Sequence, residues 1–251
     1  MMRAECNGRY VVRMAENEDD LRAVQHLRYA AFIAGRGAAP RLDGRDSDAF
    51  DGRCSHVMIE DSATGDLVAC FRLLLLGSGA DIHASYSAQY YELDGLKDYA
   101  APMVEMGRFC VEPGKDDPDI LRLAWRALAA YVEANKVEML FGCSSFAGID
   151  EAKYTDAFAM LRDQHVGPKK WLPRVKAPKV FQFAMRLGRA PNRVAALRTM
   201  PPLLRSYLTM GGWVSDHAVV DTDLNTLHVF TGLEISAIPP RRRAVILGSA
   251  S

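Results

Sequence analysis

The sequence predicts one continuous mixed α/β domain. Strand-like and helix-like segments alternate along it, the composition is that of an ordinary globular chain, and no repeat or low-complexity tract breaks the pattern. With 251 residues, 49% of them hydrophobic and 25% charged, the chain can bury a substantial core without disulfide or metal staples.

The first segment, YVVRMA (Tyr10 to Ala15), reads as a strand. Asn17 then offers an N-cap and acids fill the first turn of a helix whose Leu21, Val24, Leu27/Arg28 and Ala31/Phe32 recur at helical spacing. A Gly- and Asp-rich loop (Gly35 to Arg53) leads to two strands, HVMIED (His56 to Asp61) and LVACFRLLLL (Leu67 to Leu76), joined by the turn SATGD. MVEMGRFCV (Met103 to Val111) is an apolar strand carrying two charges. After the loop EPGKDDP a helix begins at Pro118, capped by Asp117, with Leu121, Trp125, Leu128 and Val132 as its apolar stripe. VEMLFGC (Val137 to Cys143) reads as a buried strand, and a helix follows around Ala152 to Leu161. The last third holds KVFQFAM, a short helix PPLLRSYLTM ended by Gly211-Gly212, and strands near His217 to Val220 and Leu227 to Leu233.

Composition narrows the class. MMRAECNGRY lacks the apolar run of a secretory signal, and the longest greasy stretch is interrupted by Arg72 and is far short of a membrane span. The five cysteines are scattered, odd in number and contain no C-x-x-C, which points to a reducing compartment, hence the cytoplasm, and to no metal site. The formal net charge of zero conceals an asymmetry: Gln164 to Ser215 holds ten Lys and Arg and no acid. That block reads either as a solvated face or as a docking surface for an anionic partner. Nucleic acid is disfavoured, because the block has few aromatics for stacking and no binding motif.

Three familiar motifs fail on inspection. GCSSF (Gly142 to Phe146) has Phe146 where a nucleophile elbow needs its second glycine. His56 and Asp61 have H-x4-D spacing, but five positions along a strand put them on opposite faces, roughly 16 Å apart. Asp46, Asp48 and Asp51 suggest a calcium loop, yet Phe50 fills a ligand position and no Glu closes it.

What survives is a set of charges embedded in apolar elements. Arg28 and Phe32 lie four apart on one helix face, Asp48 and Asp51 three apart in DAFDGRC, and Arg72, Glu105 and Arg108 interrupt hydrophobic strands. Buried charges are costly unless paired, so these groups face one another or line a cleft. On spacing alone they read equally as a salt-bridge network without chemistry.

The runs LRYAAF, DAFDGRCSH, LVACFRLL and VEMGRFCV resemble the acyl-homoserine-lactone synthases, acyltransferases of the GNAT superfamily. YSAQYYELDGL (Tyr86 to Leu96), LAWRALAAYV (Leu123 to Val132), LFGCSSFAGID (Leu140 to Asp150), PPLLRSYLTMGG and VVDTDLNTLHVF are closer to the L-ornithine Nα-acyltransferases of bacterial ornithine-lipid synthesis. Together these runs cover roughly residues 10 to 235. Phe109 and Leu224 depart from the Ser and Phe usual in the ornithine enzymes.

The resemblance implies a GNAT-like mixed, twisted sheet splayed at its central strands and flanked by helices. It would form a single domain over residues 1–251, with a basic part from about 164 to 251 extending the core. It implies transfer of a (3-hydroxy)fatty acyl group from acyl carrier protein to the α-amine of an amino acid, ornithine first and glutamine second, to give a lyso-aminolipid. No cofactor is bound permanently, and the donor is the phosphopantetheine arm of the carrier. EPGKDDP supports that donor, since an acidic loop is a poor site for the pyrophosphate of coenzyme A. Glu105 is the expected base and Arg108 its partner, brought into one cleft by a bulge at Gly107. Arg28, Phe32, Asp48, Asp51, Arg72, Phe109, Cys110, Ser144 and Ser145 are expected around the substrates, with the arginines holding the acceptor carboxylate or pinning the loop of Asp48 and Asp51. Lys169, Lys170, Arg174 and Lys176 are expected to dock the carrier, and the basic block also allows peripheral contact with an anionic membrane at the inner face. The alternatives kept open are an acyl-homoserine-lactone synthase and a non-catalytic GNAT-like binding module.

Overall fold

The computed structural model describes residues 5–6, 8–34 and 38–240. In chain order its elements are β1 (Glu5–Cys6), β2 (Tyr10–Met14), α1 (Glu18–Phe32), β3 (Ser55–Asp61), β4 (Leu67–Leu76), β5 (Tyr91–Glu92), β6 (Met103–Val111), α2 (Pro118–Ala134), β7 (Met139–Ala147) and α3 (Thr155–Gln164). The remainder comprises β8 (Arg174–Val175), β9 (Val180–Phe181), α4 (Phe183–Arg186), α5 (Arg193–Thr199), α6 (Pro202–Thr209), β10 (Trp213–Val214), β11 (Ala218–Asp221) and β12 (Thr226–Glu234). The expected basic C-terminal part runs past the described residues, which stop at 240. Among the described residues no helix is long and apolar enough to cross a membrane.

The helix starts follow their capping chemistry. Asn17 accepts from the Asp20 amide at the head of α1, and Asp117 accepts from the Asp119 amide at the head of α2, with Pro118 leading. The expected stripe of α2 is buried at Trp125, Leu128 and Val132, joined by Ile120 and Leu123, while Leu121 is only half-buried.

Two compact units divide the chain. The first takes the described residues up to 75 and those from 106 to 137, with 240, and carries strands in the order β1-β2-β3-β4-β6, with β2 antiparallel to β3 and β3 to β4. On one face α1 lays Val24, Leu27 and Ala31 on Met58, Cys70 and Cys110. The second takes residues 76–105 and 138–239, with strands in the order β6-β7-β12-β11-β9. Met103 to Glu105 pair in parallel with Met139 to Phe141, whereas β7 and β12 run antiparallel from Thr226↔Ala147 to Glu234↔Met139. The sheet is therefore mixed. Its core under α3 holds Phe146, Phe158, Leu161, Phe183, Leu204, Leu227 and Val229. Trp213 stacks between two glycines: a Cβ on Gly167 would lie 2.3 Å from its ring and one on Gly232 2.4 Å.

Candidate active site

In the second unit, Glu105 on β6 is 4% exposed, between the buried Val104 and Met106. Its carboxylate is held by one short turn. The Tyr86 amide donates to Oε2 at 2.7 Å, the Ser87 amide to Oε1 at 2.7 Å, and the Ser87 hydroxyl to Oε1 at 2.5 Å. The turn is itself tied by the Ser85 hydroxyl, which donates to the Ile82 carbonyl at 2.6 Å and accepts from the Ala88 amide at 3.2 Å. Amide and hydroxyl donors of this kind compensate the desolvation of a buried carboxylate.

Strand parity decides what shares its face. Glu105 pairs with Phe141, Cys143 with Phe230 and Ser145 with His228, so these side chains lie on one side of the sheet. Contacts agree: Ser87 Oγ lies 3.4 Å from Cys143 Sγ, and Tyr91 donates to the His228 carbonyl at 2.8 Å. Ser144 points the other way, accepting from Thr231 Oγ1 at 2.9 Å on the face that carries Phe146 and α3. Of the two serines expected near the substrates, only Ser145 shares the face of Glu105.

In the first unit, the loop after α1 is clamped by arginines from three elements. Arg28 of α1, 1% exposed, donates through Nε to Asp46 at 3.0 Å, through Nη1 to Asp51 at 2.7 Å and through Nη2 to the Asp46 carbonyl. Arg72 of β4 forks onto Asp48 at 2.6 and 2.8 Å and reaches Asp51 at 2.7 Å. Arg108 of β6 donates to Asp46 at 2.9 Å and Asp48 at 3.2 Å, while Arg41 pairs with the other Asp46 oxygen at 2.9 Å. Burial alone would raise the Asp51 carboxyl, but the guanidinium of Arg28, the amide of Gln25 and the charge of Arg72 outweigh it and hold it at about 2. Asp46 and Asp48 are likewise lowered against their burial, chiefly by Arg108 and Arg72 respectively. Of the two roles expected for the arginines, loop anchoring is the one this geometry gives.

Two expectations need correction, the place of the bulge and the role of Cys110. The backbone irregularity in β6 sits at Arg108, with φ 54, while Gly107 does not take the left-handed conformation. That conformation costs a non-glycine residue about 1–2 kcal/mol, and from it Arg108 reaches Asp46 and Asp48. Cys110 is buried under α1 beside Cys70, Sγ to Sγ 3.5 Å, so it is a core residue. Phe32 packs against that same apolar cluster. Lys176 donates to the Ala88 carbonyl at 2.6 Å and Arg174 belongs to β8, which pairs with β5, and both residues stay exposed. Lys169 and Lys170 are exposed, and Phe109 is half-buried with its ring 6.2 Å from that of Phe71.

Ser87 and Asp46 were missed as site residues. Asp46 had a signal in the D-x-D-x-x-D spacing, whereas Ser87 had none, because its partner is 18 positions away. The expectation of no metal site bears, among the described residues, on one cluster, His83, Glu92 and Asp94, whose ligand-type atoms lie together. Asp94 already faces Lys97 and, at 3.7 Å, Arg174, and two cations beside it oppose a third.

Comparison with known proteins shows the family. The acetyltransferase (GNAT) domain family matches residues 27–126. An L-ornithine N(alpha)-acyltransferase of Rhodobacter capsulatus is 33% identical over 93% of this chain and 93% of that protein. The chain belongs to this acyltransferase family. A second member, from Brucella abortus, is 29% identical over 93% of this chain and 87% of its own. Among solved structures, an acyl-CoA N-acyltransferase from Pseudomonas aeruginosa aligns over 89% of this chain and 97% of that one at 14% identity and TM-score 0.46. The fold is GNAT-like, and the chain is an acyltransferase enzyme acting on nitrogen.

Proposed function

We propose that this acyltransferase moves a 3-hydroxyfatty acyl group from acyl carrier protein to the α-amine of L-ornithine. The acceptor rests on one observation: 33% identity, spanning 93% of both chains, with a protein named for that activity. In the reaction the amine nitrogen attacks the thioester carbonyl, the C–N bond forms, the C–S bond breaks, and the thiol leaves with a proton. An α-ammonium must first lose a proton, and Glu105, buried and oriented by Tyr86 and Ser87, is the group assigned to receive it through a relay.

The head of α2 supports a carrier-bound donor. There the Asp117 carboxylate takes the Asp119 amide at 3.0 Å, the Tyr10 hydroxyl at 2.8 Å and Arg9 at 2.8 Å. A helix N-terminus already capped by a carboxylate repels the pyrophosphate of coenzyme A.

The test is a panel of amino acids with a 3-hydroxyacyl carrier protein or the matching coenzyme A thioester, read by mass spectrometry for amide. Amide with ornithine, faster from the carrier, is expected. Glutamine outrunning ornithine would overturn the acceptor, equal use of coenzyme A would overturn the donor, and no amide with any acceptor would overturn both.

A further inference from the structure

In the second unit, α4 and α5 both pack on α3, and α5 buries Ala196, followed by its C-cap Met200, in the core beneath. Its other side is exposed and alternates two chemistries: Arg193 and Val194, then Leu197 and Arg198 one turn later. Val194 is 78% exposed, and Met185 at the end of α4 is 81% exposed beside Arg186. Among the described residues none of Arg186, Arg193 and Arg198 forms an ion pair, and the neighbouring acid, Asp156, is taken by Arg189 at 2.8 Å. From Gln164 to Ser215 the chain supplies no acid to pair them.

We propose that this face of α5 is a docking surface for an anionic lipid bilayer. Single exposed apolar side chains are ordinary, but Val194 and Leu197 are interleaved with Arg193 and Arg198 on one side of one helix. That pattern asks for a cover that is apolar and negatively charged together. A bilayer interface supplies both at once: Val194 and Leu197 enter the acyl boundary while the arginine stems lie along it and their heads reach lipid phosphates. The inference stands on charge and exposure and does not depend on the acceptor or donor proposed above.

The test uses the whole protein and vesicle flotation, with no acyl transfer measured. On phosphatidylcholine vesicles containing phosphatidylglycerol, partition about tenfold above that on phosphatidylcholine alone is expected, weakening as salt rises. The paired changes Val194→Ser with Leu197→Ser, and Arg193→Gln with Arg198→Gln, should each remove about tenfold of that partition without changing the circular dichroism melting curve. Lys169→Glu with Lys170→Glu should leave it within about threefold. Equal partition on both vesicle types, or wild-type partition by the α5 variants, would overturn the proposal. So would α5 variants that keep vesicle binding but lose affinity for an acidic carrier protein, because the face would then belong to a protein partner.

Discussion

Replacing Asp51 by Asn tests the clamp at its most connected point. Asp51 is 6% exposed and takes Arg28, Arg72 and Gln25 at 2.7, 2.7 and 2.9 Å. Asn keeps the volume and one acceptor but removes the charge, leaving guanidinia that are 1% and 3% exposed short of a counter-ion. Breaking a buried pair from one side destabilises by about 3–5 kcal/mol, which for a chain of this length is a fall of roughly 6–20 °C in Tm. The pH dependence gives a second reading. A carboxyl whose folded pKa is depressed stabilises the fold above its unfolded pKa and loses that contribution as pH falls through the folded value. For Asp51 the window runs from 3.8 down to about 2, and an interval of that size corresponds to roughly 2 kcal/mol. Urea unfolding followed by circular dichroism from pH 6 to pH 2 should show the wild type losing that increment and Asp51→Asn lacking it. A variant within about 1 kcal/mol of wild type at pH 6, with an unchanged acid limb, would refute the clamp as a source of stability.

Glu105→Gln should lower kcat for amide formation by roughly 10²–10⁴-fold and, since its NH2 must face one of the two backbone N–H donors, destabilise by about 1–3 kcal/mol, and Ser87→Ala, which removes the 2.5 Å donor, should fall between it and wild type in kcat. An equal loss in both would mean that the turn, rather than the base, limits the rate. Gly232→Ala should destabilise by about 1–3 kcal/mol in thermal melts because the new methyl meets Trp213. At Gly107 the nearest atom to a new Cβ is Arg72 Nε at 3.6 Å, so Gly107→Ala should stay within about 1 kcal/mol. Lys169→Glu with Lys170→Glu should raise KM for the carrier substrate while leaving kcat near wild type, and unchanged KM would remove those lysines from docking.

Element positions were legible because they follow from local chemistry. Asn17 and Asp117 cap the helices their spacing announced, and the strands around Arg72 and Glu105 run over the residues that their apolar stretches marked. That the strand charges needed partners was also legible, since solvation energetics requires it. Which partners was not. Asp46 meets Arg108 across 62 positions and Glu105 meets Ser87 across 18, and nothing in periodicity encodes such separations. Parity was the other gap. Ser144 and Ser145 are equally good strand residues, and only the register with β12 shows that Ser144 turns toward Thr231. The short β5–β8 pair was hidden for the same reason, because two residues per strand give no alternation to read.

The clamp also constrains when the protein can become native during synthesis. Asp46, Asp48 and Asp51 emerge from the ribosome soon after Arg28, but Arg72 follows 24 residues behind Asp48 and Arg108 a full 62 behind Asp46. Arg28 and Arg41 alone leave three carboxylates with two cations, so closing the loop before Arg72 is made would strand a carboxylate away from water. Arg72 brings the count to three against three, and Arg108 adds two further pairs, to Asp46 and Asp48. A chain stalled before residue 72 should therefore present that loop to protease, whereas one stalled between 72 and 108 should protect it in part.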